Sequence, residues 1–350
     1  MKGKGKDASW QERLLCWYRR HDRELPWRQG APDPYRIWVS EIMLQQTRAE
    51  AVKPYYASWM ERFPSVEDLA AADEDEVLHA WQGLGYYARA RHLHKAAREV
   101  HETYGGRLPR DIKKLRALPG IGEYTAGAIA SIAFGQREAA VDGNVLRVYA
   151  RLFGVDEDIL KTSGRQKIRR LVEDTLPKDA GDFNAALMDL GADVCIPKHP
   201  RCTSCPLSDA CFAFQNGRTE ALPVRGKKKA PKVYDAACGL CVRDGKILMH
   251  RRSPHGMLAS MWEFPMVLAS GAGEAREDLS ALLSGEAEGP LWSHTHIFTH
   301  QVWHMKAYSM ANFSVPEGYV FFDGMKLSEL PLAGPHARLA AWVKAGNILK

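Results

Sequence analysis

No run of about 18 consecutive apolar residues occurs in this 350-residue sequence, so a membrane-spanning helix is not expected. The stretch from Met1 to Trp10 is rich in lysine and glycine and lacks the apolar segment of a secretory signal. No repeat with a solenoid period is present. Charge of one sign is not in large excess: 48 Lys and Arg face 42 Asp and Glu, a net charge of +6. That balance suits a polyanionic partner without identifying one, because net charge says nothing of its distribution. The expectation from these absences is a soluble cytoplasmic protein. Hydrophobic residues make up 45% and charged residues 26%, an ordinary globular balance. The length suggests two domains.

Residues from about Trp10 to Phe214 read as helices. Val145, Val148, Tyr149 and Leu152 fall on one helical face, and so do Phe183, Leu187, Leu190 and Val194, which lead into Cys195. From Arg218 to Lys232 the composition shifts to Pro, Gly, Lys and Arg, which reads as a solvated basic linker that also suits phosphates. Beyond it the period drops towards two. Ala236–Val242 and Lys246–His250 flank Asp244-Gly245, a hairpin signal. Ile297 to Tyr308 reads as another strand, and about His336 to Ala345 as a short helix closed by Gly346. The expected division is 8–217, a linker over 218–232, and an α+β domain over 233–350.

Seven cysteines is an odd count, and four sit within seventeen residues. Cys195, Cys202, Cys205 and Cys211 have the spacing C-x6-C-x2-C-x5-C, close enough for their thiolates to bind zinc or a [4Fe–4S] cluster. Cys238 and Cys241 lack a second pair and read as small strand residues. Leu118-Pro119-Gly120-Ile121-Gly122 precedes a good helix start at Glu123. It reads either as an ordinary turn or as a backbone approach to an anion. Glu41 stands in the apolar stretch Trp38 to Thr47. If buried, it is protonated near neutral pH, the property a general acid needs; if on the solvent face, it is unremarked. Asp142, before the helix that starts near Val145, reads first as a helix N-cap.

In order along the chain stand Leu25-Pro26-Trp27-Arg28, Trp38 to Thr47, Gly83-Leu84-Gly85-Tyr86-Tyr87, Leu118 to Ala126, Val141 to Val145 and the four cysteines. Together they resemble the MutY-type adenine DNA glycosylase family, from about Trp17 to Lys344. The resemblance implies a mostly α helix-hairpin-helix glycosylase domain with an iron–sulfur cluster loop, joined to a smaller α+β Nudix-like C-terminal domain. It implies a [4Fe–4S] cluster on Cys195, Cys202, Cys205 and Cys211. It also implies a monomer that acts on double-stranded DNA holding 8-oxoguanine·A or G·A, associated with the nucleoid of a bacterium.

The family's general acid falls on Glu41 and its sugar-stabilising carboxylate on Asp142, a paired arrangement with the logic of glycoside hydrolysis. Tyr124 and Asn144 match the supporting groups. The endonuclease III branch carries an imine-forming lysine where Tyr124 stands, so a monofunctional enzyme is expected. Trp27 and Arg28 fall on adenine-pocket positions, and Met188 is expected to bind substrate. Gln46, Thr47, Leu84 and Tyr86 match residues entering the base stack around the opposite base. Phe298-Thr299-His300 matches the family's F-S-H loop, with Thr for Ser. Gly120, Gly122, Lys198 and Arg201 are expected against the DNA backbone. Two departures stand out. Ala185 occupies a position where the family has Gln or Glu approaching the adenine edge, and no catalytic Nudix box follows Trp262-Glu263-Phe264-Pro265. His294, His296, His300 and His304 have no nearby Cys or carboxylate, which disfavours a metal there.

Overall fold

The computed structural model describes residues 8–21, 23–226 and 230–348. Lys227 to Lys229 of the expected linker, and residues 1–7, lie outside these. The chain forms two compact units, Met1–Ala70 with Lys95–Lys227 and Ala71–His94 with Lys228–Lys350. Among the described residues no helix is long and apolar enough to cross a membrane.

The helices run in the order α1 (Trp10–Arg20), α2 (Pro34–Leu44), α3 (Ala49–Arg62), α4 (Val66–Ala71), α5 (Glu74–Ala80), α6 (Ala88–Tyr104), α7 (Ile112–Ala117), α8 (Glu123–Ala128), α9 (Gly143–Phe153), α10 (Thr162–Thr175), α11 (Ala180–Asp189) and α12 (Phe212–Gln215). Side-chain caps fix three starts that matter below. The Asp33 carboxylate accepts from Arg36 N before α2, Asp111 from Lys113 N and Lys114 N before α7, and Asp142 from Val145 N before α9. The α9 helix stops at Gly154, which adopts φ 65°. The apolar faces expected on α9 and α11 pack together: Val145, Val148, Tyr149 and Leu152 share one buried cluster with Phe183, Leu187, Leu190 and Val194. Nearly all of α2 is buried, which is why it is apolar almost all round.

The segment expected to be a solvated linker is fastened over 218–226. Arg218 pairs with Asp156, Leu222 is buried and accepts from Arg151, Ile159 N donates to Val224 O at 3.1 Å, and Gly226 N donates to Asp158 Oδ2 at 3.0 Å. A basic composition concealed a run of backbone hydrogen bonds that composition cannot show.

The second unit is α+β. Its strands are β1 (Lys232–Leu240), β2 (Val242–Arg243), β3 (Lys246–Arg251), β4 (Trp262–Glu263), β5 (Met266–Ala269), β6 (Glu286–Ile297), β7 (Gln301–Ala311) and β8 (Tyr319–Asp323), with α13 (Ala272–Leu283) and α14 (Gly334–Trp342). One sheet has the order β5-β1-β7-β6, with β1 and β7 parallel; in the other, β3 pairs with β2, β4 and β8. Successive residues of β1 serve opposite faces, as a pleated strand requires. Ala236, Cys238 and Leu240 pack in the cluster that includes Leu339 and Ala340 of α14, and Ala237 packs with Leu279 and Leu283 of α13. Cys238 and Cys241 are wholly buried strand-region residues. The expected Asp244-Gly245 turn joins β2 to β3, with φ 50° and 72°. The expected strand from Ile297 to Tyr308 is instead a hairpin: Phe298-Thr299-His300 turns between β6 and β7, closed by Phe298 N donating to Gln301 O at 2.8 Å. The turn carries no Gly, Pro or Asn, so its sequence gives none of the usual turn signals.

Candidate active site

Burial of α2 takes Glu41 with it, leaving 6% of the residue exposed. Across from it stands Tyr124, placed by the helix-hairpin-helix formed by α7, the turn at 118–122 and α8. Gly120 holds φ 77° in that turn, where a side chain would be strained. Ile121 N donates to Leu118 O at 3.1 Å, and Gly122 leads into α8 one residue before Tyr124. The Tyr124 hydroxyl donates to Glu41 Oε2 in a short hydrogen bond and lies 3.6 Å from Met188 Sδ. Burial pushes the Glu41 carboxyl up to about 7; the Tyr124 hydrogen bond and Arg28 pull it down, and Asp142 pushes it further up. Burial and the neighbouring carboxyls raise the Tyr124 phenol in turn, so it stays a donor.

Asp142 is both a helix cap and a member of this site. Oδ1 accepts from Val145 N at 2.8 Å and Oδ2 accepts from Asn144 Nδ2 at 2.8 Å. Burial raises its pKa against these hydrogen bonds. Asn144 is itself held, its Oδ1 accepting from Arg147 at 2.8 Å. Gly191 lies so close that a Cβ there would come within 2.5 Å of Asn144 Cβ. The site therefore joins one acid with a raised pKa, one capped carboxylate and a phenol, carried on three helices.

Arg28, in a one-turn helix with Trp27, presents two nitrogens to the buried Asp189: Nη1 to Oδ2 at 2.6 Å and Nη2 to Oδ1 at 3.1 Å. Trp27 is buried edge-on to Tyr56, with ring centroids 5.5 Å apart. After α2 the chain turns through Gln46 at φ 59°, leaving Gln46 exposed and Thr47 half-buried. Leu84 and Tyr86 lie in the second unit, Leu84 buried and Tyr86 45% exposed. There the Tyr86 hydroxyl lies 2.6 Å from Thr299 Oγ1, which ties the Gly83–Tyr87 turn to the Phe298-Thr299-His300 hairpin; His300 is exposed. Met188, Asp142, Asn144, Tyr124 and Glu41 gather in the first unit.

The four cysteines line one cavity together with Arg151. Burial and mutual repulsion raise the thiols of Cys202 and Cys211, and burial takes Cys205 to about 12, so their thiolates need a cationic partner. Lys198 and Arg201 are exposed on the same loop. Two functional neighbours escaped the sequence reading. Arg147 and Arg151, one turn apart on α9, are 5% and 2% exposed. Arg147 donates to Cys195 O at 2.7 Å and Gly191 O at 2.6 Å. Arg151 donates to Ile196 O at 2.7 Å and Pro197 O at 2.9 Å and lies 3.4 Å from Cys195 Sγ. They tie the cysteine loop to the helix that carries Asp142 at its cap. The only hint in the sequence was two cations on an otherwise apolar helix.

Residues 39–177 match the HhH-GPD superfamily of base excision DNA repair proteins, and residues 236–342 match the NUDIX domain. The adenine DNA glycosylase of Rattus norvegicus is 35% identical over 364 residues, covering 87% of this chain and 70% of the relative. The chain belongs to the adenine DNA glycosylase family. The Homo sapiens member is 39% identical over 308 residues, 73% of this chain, and this chain spans 56% of its length. Among solved structures, a thermostable thymine-DNA glycosylase shares 33% identity and a TM-score of 0.53 over 59% of this chain and 95% of its own. Both expected folds are thus borne out, a helical helix-hairpin-helix unit and a Nudix-like α+β unit.

Proposed function

We propose that this chain is a monofunctional DNA glycosylase of base excision repair that hydrolyses the N-glycosidic bond of adenine mispaired with 8-oxoguanine or guanine. The observation that carries the reading is the buried Glu41, shared with Tyr124 and set beside Asp142. Glu41 gives its proton to N7 of the flipped adenine, making the base a better leaving group. Asp142 keeps its charge opposite the sugar as positive charge grows there, and Asn144 fixes its orientation. Water completes the hydrolysis. Tyr124 stands where an imine-forming lysine would be needed, so strand cleavage does not follow.

By the same proposal Trp27, Arg28 and Met188 line the adenine pocket. Gln46, Thr47, Leu84, Tyr86, Phe298, Thr299 and His300 read the opposite base, and Gly120, Gly122, Lys198 and Arg201 follow phosphates. Residues 8–217 carry the chemistry, 218–232 connect, and 233–350 recognise 8-oxoguanine. The working form is a monomer on double-stranded DNA in the cytoplasm of a bacterium. A [4Fe–4S] cluster would be held by Cys195, Cys202, Cys205 and Cys211; the reading is supported by the four cysteines lining one cavity, with Arg151 3.4 Å from Cys195 Sγ to offset thiolate charge. Cys195, Cys202, Cys205 and Cys211, joined through a bound cluster, would fix the loop that carries Lys198 and Arg201.

A second reading, removal of thymine from G·T pairs, draws on the similarity to a thymine-DNA glycosylase. One experiment separates them. Duplexes with a single 8-oxoguanine·A, G·A, G·T or thymine-glycol site are incubated with the protein, and half of each is treated with hot alkali. Adenine-strand breaks that need alkali support the proposal. Cutting without alkali, or only at G·T, overturns it. Purified protein with a visible thiolate-to-iron absorption band supports the cluster, and a colourless zinc protein refutes it.

A further inference from the structure

Ala185 and Asp189 stand one turn apart on the same face of α11, and both are buried, at 4% and 1% exposure. Ala185 has no polar side-chain atom to offer a base. At Asp189 a carboxylate takes three charge-assisted hydrogen bonds: two from Arg28, and a third from Arg23 Nη1 at 2.8 Å. The Arg28 guanidinium also lies over the Tyr18 ring at 5.6 Å, so one flat face and one edge are both fixed. Arg23 is anchored on its far side by Asp193 at 3.3 Å, which also pairs with His21 at 3.0 Å. This is a chain of five charged or titratable side chains with Asp189 as its buried centre. Removing this carboxylate alone would strip Arg28 of its carboxylate partner and Arg23 of one of its two. What the carboxylate does is hold both terminal nitrogens of Arg28 in the one-turn helix that also carries Trp27.

We infer that Asp189 is a positioning residue for adenine recognition: it aims Arg28 into the pocket, and the aimed guanidinium supplies the polar contact to the base that Ala185 cannot. The inference rests on the proposed adenine chemistry and deepens it. It makes Asp189 act through Arg28 alone, so its effect vanishes when Arg28 is already lost.

The test uses the full chain under single-turnover conditions, with an 8-oxoguanine·A duplex and the same duplex carrying a tetrahydrofuran abasic site in place of the adenosine. Asp189→Asn keeps the shape and removes the charge. It is expected to slow excision at least about tenfold, the penalty of a misplaced contact, while binding of the abasic duplex stays within about twofold. Arg28→Gln is expected to show a loss of at least that size, and the double variant no more than Arg28→Gln alone. Arg28→Lys keeps the cation but not the two-pronged pair, and is expected to slow excision as Asp189→Asn does; it carries the test if Asp189→Asn does not fold. Wild-type excision by Asp189→Asn or Arg28→Lys, losses that multiply in the double variant, or equal weakening on the abasic duplex would each overturn the inference. Wild-type protein inactive on adenine would instead remove the proposed function, which the same assay shows in its first lane.

Discussion

Replacing Tyr124 by Phe tests the proton on Glu41 directly. At a pKa of about 7, roughly half of Glu41 is protonated at neutral pH; at its ordinary value of 4.5 the fraction would be roughly 1 in 300. Burial produces this shift, and the hydrogen bond from Tyr124 works against it by stabilising the carboxylate. Removing the hydroxyl therefore raises the pKa further. A hydrogen bond to a charged group is worth about 1.5–3 kcal/mol, and one pKa unit is about 1.4 kcal/mol, so the rise is about one to two units. The assay is the single-turnover excision rate on an 8-oxoguanine·A duplex from about pH 6 to about pH 10, where a general acid gives a plateau and then a tenfold fall per unit. Wild type should break near 7, and Tyr124→Phe near 8 to 9, whatever its plateau height. A break that stays put or moves to lower pH refutes the reasoning, because it would mean Tyr124 does not donate to a Glu41 carboxylate.

Three further outcomes follow from the same geometry. Glu41→Gln should abolish excision and stabilise the fold at alkaline pH. The folded protein binds the Glu41 proton more tightly than the unfolded chain, so stability falls as pH rises from 4.5 through about 7, by about 3 kcal/mol; thermal unfolding at about pH 8 should show the variant melting higher. Asp142→Asn should lower excision by at least about a hundredfold with little change in melting temperature, because asparagine caps a helix about as well as aspartate. In the second unit, His336 is wholly buried 3.6 Å from Glu263, and burial holds it down near about 4 despite that carboxylate. Its neutral form is favoured by folding, so stability is lost as pH falls from 6.5 towards 4; Glu263, held low by His250, His336 and Arg252, adds to the loss below its ordinary range. A melting temperature that does not fall over that window, or falls equally in His336→Leu, counts against this account.

Helical periodicity found the α9 and α11 faces because their large apolar side chains meet in one cluster, although both helices are buried nearly all round, and Asp244-Gly245 found its hairpin because both turn residues sit at positive φ. The pair Glu41 and Asp142 was less legible. Asp142 is a real helix cap, so the ordinary reading of that residue was correct, and only resemblance added the second role. The links between sites were not legible. Arg147 and Arg151 work through backbone carbonyls more than forty residues away, and no local pattern marks a carbonyl as an acceptor. The same holds for 218–226, whose basic residues hid a docked backbone, and for Asp189, whose partners lie more than 160 residues back.

Gly191 gives this protein an unusual vulnerability to variation. It sits in a helical turn after α11, and an alanine there would pass as a mild, helix-favouring change. The added methyl would meet Asn144, and α9 is held against this turn by Arg147, which donates to Gly191 O at 2.6 Å, and against the cysteine loop by Arg151, so moving apart would break those hydrogen bonds. The smallest possible side chain at this position would therefore be read out as a silenced enzyme with an intact fold. In a catalogue of natural variants, such a glycine belongs with the catalytic carboxylates.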